Sequence, residues 1–460
     1  MSRLWAWLRS TDGRWLLAVL ALAFVVRLTT VLAVQPDPRD GRFDDSVFYD
    51  SAARHLADGD GYVFDPTVWL TTIDTPIFPG RDEPTPTALW PPGWPVTLAA
   101  IYALTDDSVD AGRLANVVFG TLTCGLVFLI ALRLFGRLEA IAAGAVLALM
   151  PSHVLFTTIL LSETYFGLLL AGVLAVCVYF VFGRDRPSLP IIFGLGALIA
   201  FTGLVRGEML AFGAIVALLM AVQWRTRALA PLAMLAVGAA LVVTPWAVRN
   251  AITMDEVLIG TTGSGRVSYQ GHNPRADGGP DLWAVGVCEG PFASLPLDEI
   301  EVRSNRACSR LAREWALDHP WEEVQLVGKR MWKLFRNDEA GVTWLQSNEP
   351  WFSDENADRL INLSTFYFYG LAAVMFASLP IWWRTRDLRR IVVFAIIPYY
   401  MLVFGVLFIG DPRYHYAMYI PLAVFAGAGL AALWRLTAAN WRDVFGRPPR
   451  QQLADGTASP

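Results

Sequence analysis

The chain has 460 residues, 55% of them hydrophobic and only 17% charged, with a mean hydropathy of +0.42. That balance excludes an ordinary soluble domain and describes a membrane protein. A formal net charge of −4 gives no footing for nucleic acid, and 18 Trp, 13 Tyr and 26 Phe suit a surface lying where hydrocarbon meets headgroups.

In chain order, Arg3, Arg9 and Arg14 precede an apolar run over 15–34. The run is long for a signal-peptide core, and Val34-Gln35-Pro36-Asp37 lacks the small residues of a cleavage site, so it reads as a retained first transmembrane helix. Further runs of roughly 17 to 25 residues, the length that crosses about 30 Å of hydrocarbon as a helix, lie at 112–134, 138–156, 161–182, 189–205, 208–223, 229–248, 361–383, 391–409 and 415–436. Alternate junctions collect arginines: 133 and 137, 184 and 186, 225 and 227, 384 to 390, then 435, 442 and 447. Short cytoplasmic loops gather such charges. Ten spans with both termini cytoplasmic satisfy the pattern, whereas dropping one span would put an Arg cluster outside.

This predicts an all-α polytopic membrane protein: an N-terminal transmembrane module over 1–248, an extracytoplasmic loop over 249–360 between spans seven and eight, C-terminal transmembrane helices over 361–437 and a cytoplasmic tail over 438–460. The first outer loop, 35–110, is expected to hold interfacial helices. One runs from Asp44 toward Ala57; the other follows Trp90-Pro-Pro-Gly-Trp-Pro95 and is too short and too Pro-rich at its start to span. The larger loop opens Gly-rich around Gly260 and Gly271 and carries an amphipathic stretch from Trp321 to Phe335 with Lys329, Arg330 and Lys333. Cys124 and Cys177 fall inside spans as small core residues. Cys288 and Cys308 share the large loop, where a disulfide is the favoured reading in an oxidising compartment and two free thiols are the alternative.

Asp44 and Asp45 stand at the first turn of the first interfacial helix, where carboxylates suit the helix dipole; an N-cap role without chemistry is the ordinary reading of such a pair. Other polar residues lie at the same membrane face: Glu163 at the outer start of span four, Arg206 and Glu208 in the turn between spans five and six, Arg413, Tyr414 and His415 at the start of the last span. Each has an ordinary reading, as a local ion pair, a helix-end charge, a snorkelling cation or a packed ring. Together they predict a cavity lined by acids and cations, because each is costly near hydrocarbon unless it faces protein or water.

The order of these motifs resembles the GT-C superfamily of membrane glycosyltransferases, in particular the bacterial group related to protein O-mannosyltransferases and to the aminoarabinose transferases that modify lipid A (glycosyltransferase family 39-like). The resemblance runs through Asp44-Asp45, Ala52-Ala53-Arg54-His55-Leu56, Gly59, Pro91-Pro92-Gly93-Trp94-Pro95, Arg113-Leu114-Ala115-Asn116, Arg133 to Arg137, Leu161-Ser162-Glu163-Thr164, Val205-Arg206-Gly207-Glu208, Thr244 to Asn250 and Arg413-Tyr414. It implies the GT-C fold with about ten transmembrane helices, and transfer of a sugar from a polyprenyl-phosphate carrier to a glycan, lipid or protein acceptor at the outer face of a bacterial cytoplasmic membrane. It puts the catalytic carboxylate on Asp44, with Asp45 beside it.

Such chemistry asks for these residue types. A carboxylate must take the acceptor's proton during attack at the anomeric carbon, and cations must stabilise charge on the departing phosphate. Arg206 and Arg413 are the leading cations, with Arg249 and the cluster from Lys329 to Lys333 behind them; Asp45, Tyr49, Glu163, Glu208, His272, Tyr414 and His415 are the further substrate-binding candidates. One base opposite a leaving phosphate implies inversion. In the aminoarabinose transferases it resembles, Glu-Lys precedes the Pro-Pro element and the Glu contributes to a metal site; here those positions are Leu89-Trp90, so that ligand and the lysine are absent. No metal site is predicted and no cofactor is required, with a divalent cation at the carrier phosphate left open. The rival class is a transporter or flippase of lipid-linked sugars, for which inverted repeats or mid-membrane charges would be the sign.

Overall fold

The computed structural model describes residues 2–36, 38, 45–66, 83–348, 353–382 and 385–445. Helices dominate it, and the described strands are one two-residue antiparallel pair, Val63–Phe64 with Thr85–Pro86. Among the described residues, eight helices are long and apolar enough to cross a membrane: Thr11–Ala33, Val109–Leu134, Glu163–Val181, Met209–Arg227, Leu229–Thr253, Asp354–Pro380, Leu388–Leu407 and Pro412–Ala438. Polar caps fix where several begin. Ser10 Oγ accepts from Gly13 N at 3.3 Å, and Ser108 Oγ accepts from Ala111 N at 3.3 Å.

Two expected spans take other forms. The run over 138–156 is a bent pair, Arg137–Ala148 followed by Pro151–Thr158, with 62° between them. Pro151 has no N–H to give and its ring excludes the carbonyl four residues back, so the first helix stops before it. The stop frees carbonyls inside the bundle. The guanidinium of Arg27, fully buried in the first span, donates to Leu147 O at 3.4 Å and Ala148 O at 3.3 Å, and its Nη2 lies 2.7 Å from His153 Nδ1. The second is Leu189–Val205, a 17-residue helix at the short limit for crossing. It packs tightly on Leu229–Thr253: a Cβ on Gly196 would sit 2.0 Å from Leu235 O, so only glycine admits that approach.

The last span, Pro412–Ala438, is the most enclosed of the eight and packs against Arg137–Ala148, Asp354–Pro380 and Val109–Leu134. The helix Asp45–Asp58 lies on the helix Gly93–Thr105, tied by Tyr102 Oη to Asp50 Oδ1 at 2.5 Å and by Arg54 Nε to Asp50 Oδ2 at 2.9 Å. Gly93–Thr105 is itself docked into protein, since fully buried Trp94 donates Nε1–H to Leu160 O at 3.0 Å. The large connecting segment folds into Ser264–Gly271, Leu282–Glu289, Leu297–Asp318, Pro320–Phe335 and Ala340–Asn348. Cys288 and Cys308 are disulfide-bonded there, with Cα atoms 5.4 Å apart. Beside them Glu289 pairs with Arg266 at 2.8 Å, and burial pushes its carboxyl up against that pull.

Candidate active site

Four helix ends meet at one end of the bundle, and each brings an ionisable side chain. Glu163 opens one span; Arg206 ends Leu189–Val205; Glu208 stands just before Met209; Arg413 begins the last span. Asp45 arrives as the first residue of Asp45–Asp58. Backbone geometry aims the cation of the last span: Asp411 Oδ1 accepts from Arg413 N at 2.8 Å and caps the short 3-10 run Pro412–Met418.

The side chains form one connected set. Arg413 donates from Nη1 to Asp45 Oδ2 at 2.5 Å and from Nε to Glu163 Oε1. Arg206 donates from Nη1 to the same Glu163 Oε1 at 2.7 Å and from Nε to Glu208 Oε1 at 2.9 Å. Tyr400 Oη lies 3.2 Å from Glu208 Oε1, and Tyr399 Oη bonds to Glu208 O. The Glu163 side chain is only 1% exposed and Arg206 and Arg413 12%, while Asp45 is 24% exposed. Charges this enclosed persist because every one has a partner; desolvating them unpaired would be prohibitive.

Aromatic rings fix the guanidinium planes. Trp344 lies 4.5 Å from the Arg413 guanidinium carbon, and Tyr414, stacked on Phe404 at 3.7 Å, lies 5.8 Å from that of Arg206. Trp90 Nε1 donates to Asp45 Oδ1 at 3.3 Å. Tyr49, one turn beyond Asp45 and buried, faces the same set: burial first, then the Asp45 charge, push its phenol up. Glu163, Phe166, Arg206, Tyr400, Arg413, Tyr414, Tyr416 and Ala417 line a narrow pocket with no room for a water molecule.

The structure therefore brings together Asp45, Tyr49, Glu163, Arg206, Glu208, Arg413 and Tyr414. Asp44 lies outside the described residues. His415 turns away: its Nε2 is 2.8 Å from Asp338 Oδ1 in a fully buried network with Tyr419, Ser364 and Ser152. His272 sits between Glu323 and Arg330, bonded to Glu323 Oε2 at 3.0 Å. Of the reserve cations, Arg249 pins the small hairpin by donating to Thr87 O and Tyr62 O, both at 2.6 Å, and Lys333 pairs with Asp277 at 2.6 Å. Among the described residues no three His, Cys, Asp or Glu side chains converge as a metal site would require.

Sequence reasoning missed Trp90, Trp344 and the pair Tyr399-Tyr400. The last had a readable signal, because two adjacent phenols within an apolar run need polar partners. Trp90 and Trp344 had none, since their contacts join segments far apart in the chain.

Residues 90–248 match a family described as dolichyl-phosphate-mannose-protein mannosyltransferase. No curated protein sequence matches the chain. Among solved structures, the Archaeoglobus fulgidus oligosaccharyltransferase tethered to an acceptor peptide aligns over 96% of this chain and 52% of its own, with 13% identity and a TM-score of 0.54. The same enzyme, AglB, in complex with an inhibitory peptide and a dolichol-phosphate aligns over 95% and 53%, with 13% identity and a TM-score of 0.53. ArnT from Cupriavidus metallidurans bound to undecaprenyl phosphate aligns over 95% and 80%, with 17% identity and a TM-score of 0.42. The chain spans about half the length of the archaeal enzymes it matches. It has the fold of the GT-C membrane glycosyltransferases, and its residues 90–248 match the dolichyl-phosphate-mannose-protein mannosyltransferase family within that superfamily.

Proposed function

We propose that this chain is an inverting glycosyltransferase that moves a sugar from a polyprenyl-phosphate donor to an acceptor hydroxyl or amine at the outer face of a bacterial cytoplasmic membrane. The observation that carries the reading is the pair of guanidiniums, Arg206 and Arg413, held on one Glu163 oxygen at the membrane end where Asp45 begins its helix. The match of residues 90–248 and the dolichol-phosphate seen with AglB support the choice of a lipid-phosphate carrier.

In this reading Asp44 takes the acceptor's proton as its oxygen or nitrogen attacks the anomeric carbon from the face opposite the phosphate. The new glycosidic bond forms as the carbon to phosphate-oxygen bond breaks. The departing phosphate gains one negative charge, which Arg206 and Arg413 meet with charge-assisted hydrogen bonds in a site of low dielectric. Asp45 and Glu163 orient the cations beforehand, and Tyr49, Glu208 and Tyr414 complete the wall. His272 and His415, bonded elsewhere, play no part at the reacting atoms.

The test is Asp44→Asn in purified, folded protein given a polyprenyl-phosphate sugar. Transfer is lost while donor binding persists. Undiminished transfer by this variant refutes the assignment. Donor crossing of vesicles without glycosidic bond formation moves the reading to a flippase.

A further inference from the structure

The helix Pro320–Phe335 has three differently made sides, where a helix lying on a protein needs two. Leu326, Arg330 and Leu334, one turn apart, are buried against the rest of the molecule. On the opposite side Trp321, Val324 and Trp332 are 69%, 61% and 70% exposed, and Gly328 stands between them where an added Cβ would meet nothing within 4 Å. At 3.6 residues per turn these four share one stripe. Between the two sides runs a polar stripe of Glu322, Lys329, Lys333 and Arg336. Leu317, 73% exposed, extends the apolar stripe past the helix start.

The buried side is clamped, which fixes the roll of the helix. Arg330 donates to Val406 O and to Gly271 O, both at 2.8 Å, and to Glu323 Oε1 at 2.7 Å. His272 joins Glu323 Oε2 at 3.0 Å to Leu407 O at 3.1 Å. Gly410 permits the contact, since its Cβ would fall 1.9 Å from Arg330 O. Val406 and Leu407 are the last residues of the span Leu388–Leu407, whose own Leu402 and Leu407 are 52% and 51% exposed. The helix is therefore anchored by its buried side to the end of an apolar span.

We propose that Pro320–Phe335 is an in-plane membrane helix that seats Trp321, Val324, Gly328 and Trp332 among the lipid acyl chains at the end of the span Leu388–Leu407. Lipid is the occupant favoured by three features. The helix is clamped to the end of that span through Arg330 and His272. Tryptophans stand at both ends of it, as they do where hydrocarbon meets headgroups. A flank of Lys329, Lys333 and Arg336 lies a quarter turn away, positioned for headgroups and water. His272, Glu323 and Arg330 are positioning residues for this docking. The proposal stands independently of the transferase reading.

The test uses the full chain in lipid nanodiscs, with a nitroxide placed at Gly328→Cys, at Trp332→Cys and at Lys329→Cys in turn. The native thiols do not compete, since Cys124 and Cys177 are buried and Cys288 and Cys308 are bonded. Gly328→Cys adds atoms into open space, so folding is not at stake there. The ratio of molecular-oxygen to nickel-chelate collision rates is expected to be several-fold higher at 328 and 332 than at 329. Equal ratios at all three sites, or a higher nickel accessibility at 328, would put the stripe in water and overturn the proposal. Dipolar broadening at 328 that grows with the number of chains per disc would assign the stripe to a second copy instead, with the same consequence.

Discussion

Glu163→Gln isolates what one carboxylate does for two buried guanidiniums. The substitution keeps the shape and one neutral acceptor but removes the charge that Arg206 and Arg413 share through a single oxygen. A hydrogen bond to a charged group contributes about 1.5–3 kcal/mol, and removing one partner of a buried pair costs about 3–5 kcal/mol. Here Arg206 keeps Glu208 and Arg413 keeps Asp45, so we expect a cost at or just below the low end of that range, about 2–3 kcal/mol. Asp45→Asn, at a more exposed carboxylate with one guanidinium, should cost about 1 kcal/mol. The double variant leaves Arg413, 12% exposed, with neither of its two carboxylates, and its loss should exceed the sum by about 1–2 kcal/mol. Denaturant titration of all four proteins at fixed detergent measures the cycle. A Glu163→Gln effect below about 0.5 kcal/mol, the scale of a solvent-exposed pair, or strict additivity in the double variant, refutes the view that Glu163 is the shared counter-ion.

Arg27→Leu leaves the buried carbonyl of Ala148 without its side-chain donor, while Leu147 O keeps Met150 N at 3.4 Å; a loss of about 1–3 kcal/mol is expected from one unsatisfied group, with Arg27→Lys intermediate, read by thermal unfolding in one detergent. Burial raises the Glu301 carboxyl above its ordinary 4.5 although Thr87, Thr262 and the Ala88 amide all donate to it. A raised folded value favours the protonated form, so its stabilising contribution is complete below about pH 4.5 and is lost as pH rises through the folded value; Glu301→Gln should flatten that part of the stability profile. Closing a loop over a sequence separation of 20, the Cys288–Cys308 bond should contribute about 3 kcal/mol, so the double Ser variant should match the reduced wild type in thermal unfolding. Asp45→Asn should also tighten polyprenyl-phosphate binding up to about fivefold, by removing a carboxylate worth about 1 kcal/mol to Arg413; calorimetric titration showing unchanged or weaker binding would contradict this.

The spans and their charged ends were legible because a bilayer leaves few options. An apolar run of spanning length must cross or be buried, and ionisable groups collect at its ends. That logic found Glu163, Arg206, Glu208 and Arg413. It did not find partners. His415 stands two residues after Arg413, yet the 3-10 run Pro412–Met418 turns about 120° per residue, which carries the imidazole round to Asp338. His272 is held by residues 51 and 135 positions away, which no local pattern announces. Arg27 was hidden within an apolar run, and Pro151 marked a break whose angle hydropathy does not encode. Of the ten expected spans, eight are helices long and apolar enough to cross, one is a bent pair and one, Leu189–Val205, is a shorter apolar helix.

The two acids on Arg413 are not equivalent, and their difference bears on how a phosphate could enter so narrow a site. Glu163 is 1% exposed, belongs to a membrane span and binds both guanidiniums through one oxygen, so it holds two like charges side by side against their repulsion. Remove it and the pair has no reason to converge. Asp45 is 24% exposed, reaches Arg413 from a helix in a different segment and binds one guanidinium only. An incoming phosphate competes for the same donors with more charge and better geometry than a single carboxylate. On the proposed reading it displaces Asp45 and leaves Glu163 in place. The site then opens by exchanging one anion for another, with the cations already oriented and little reorganisation left for the reaction itself.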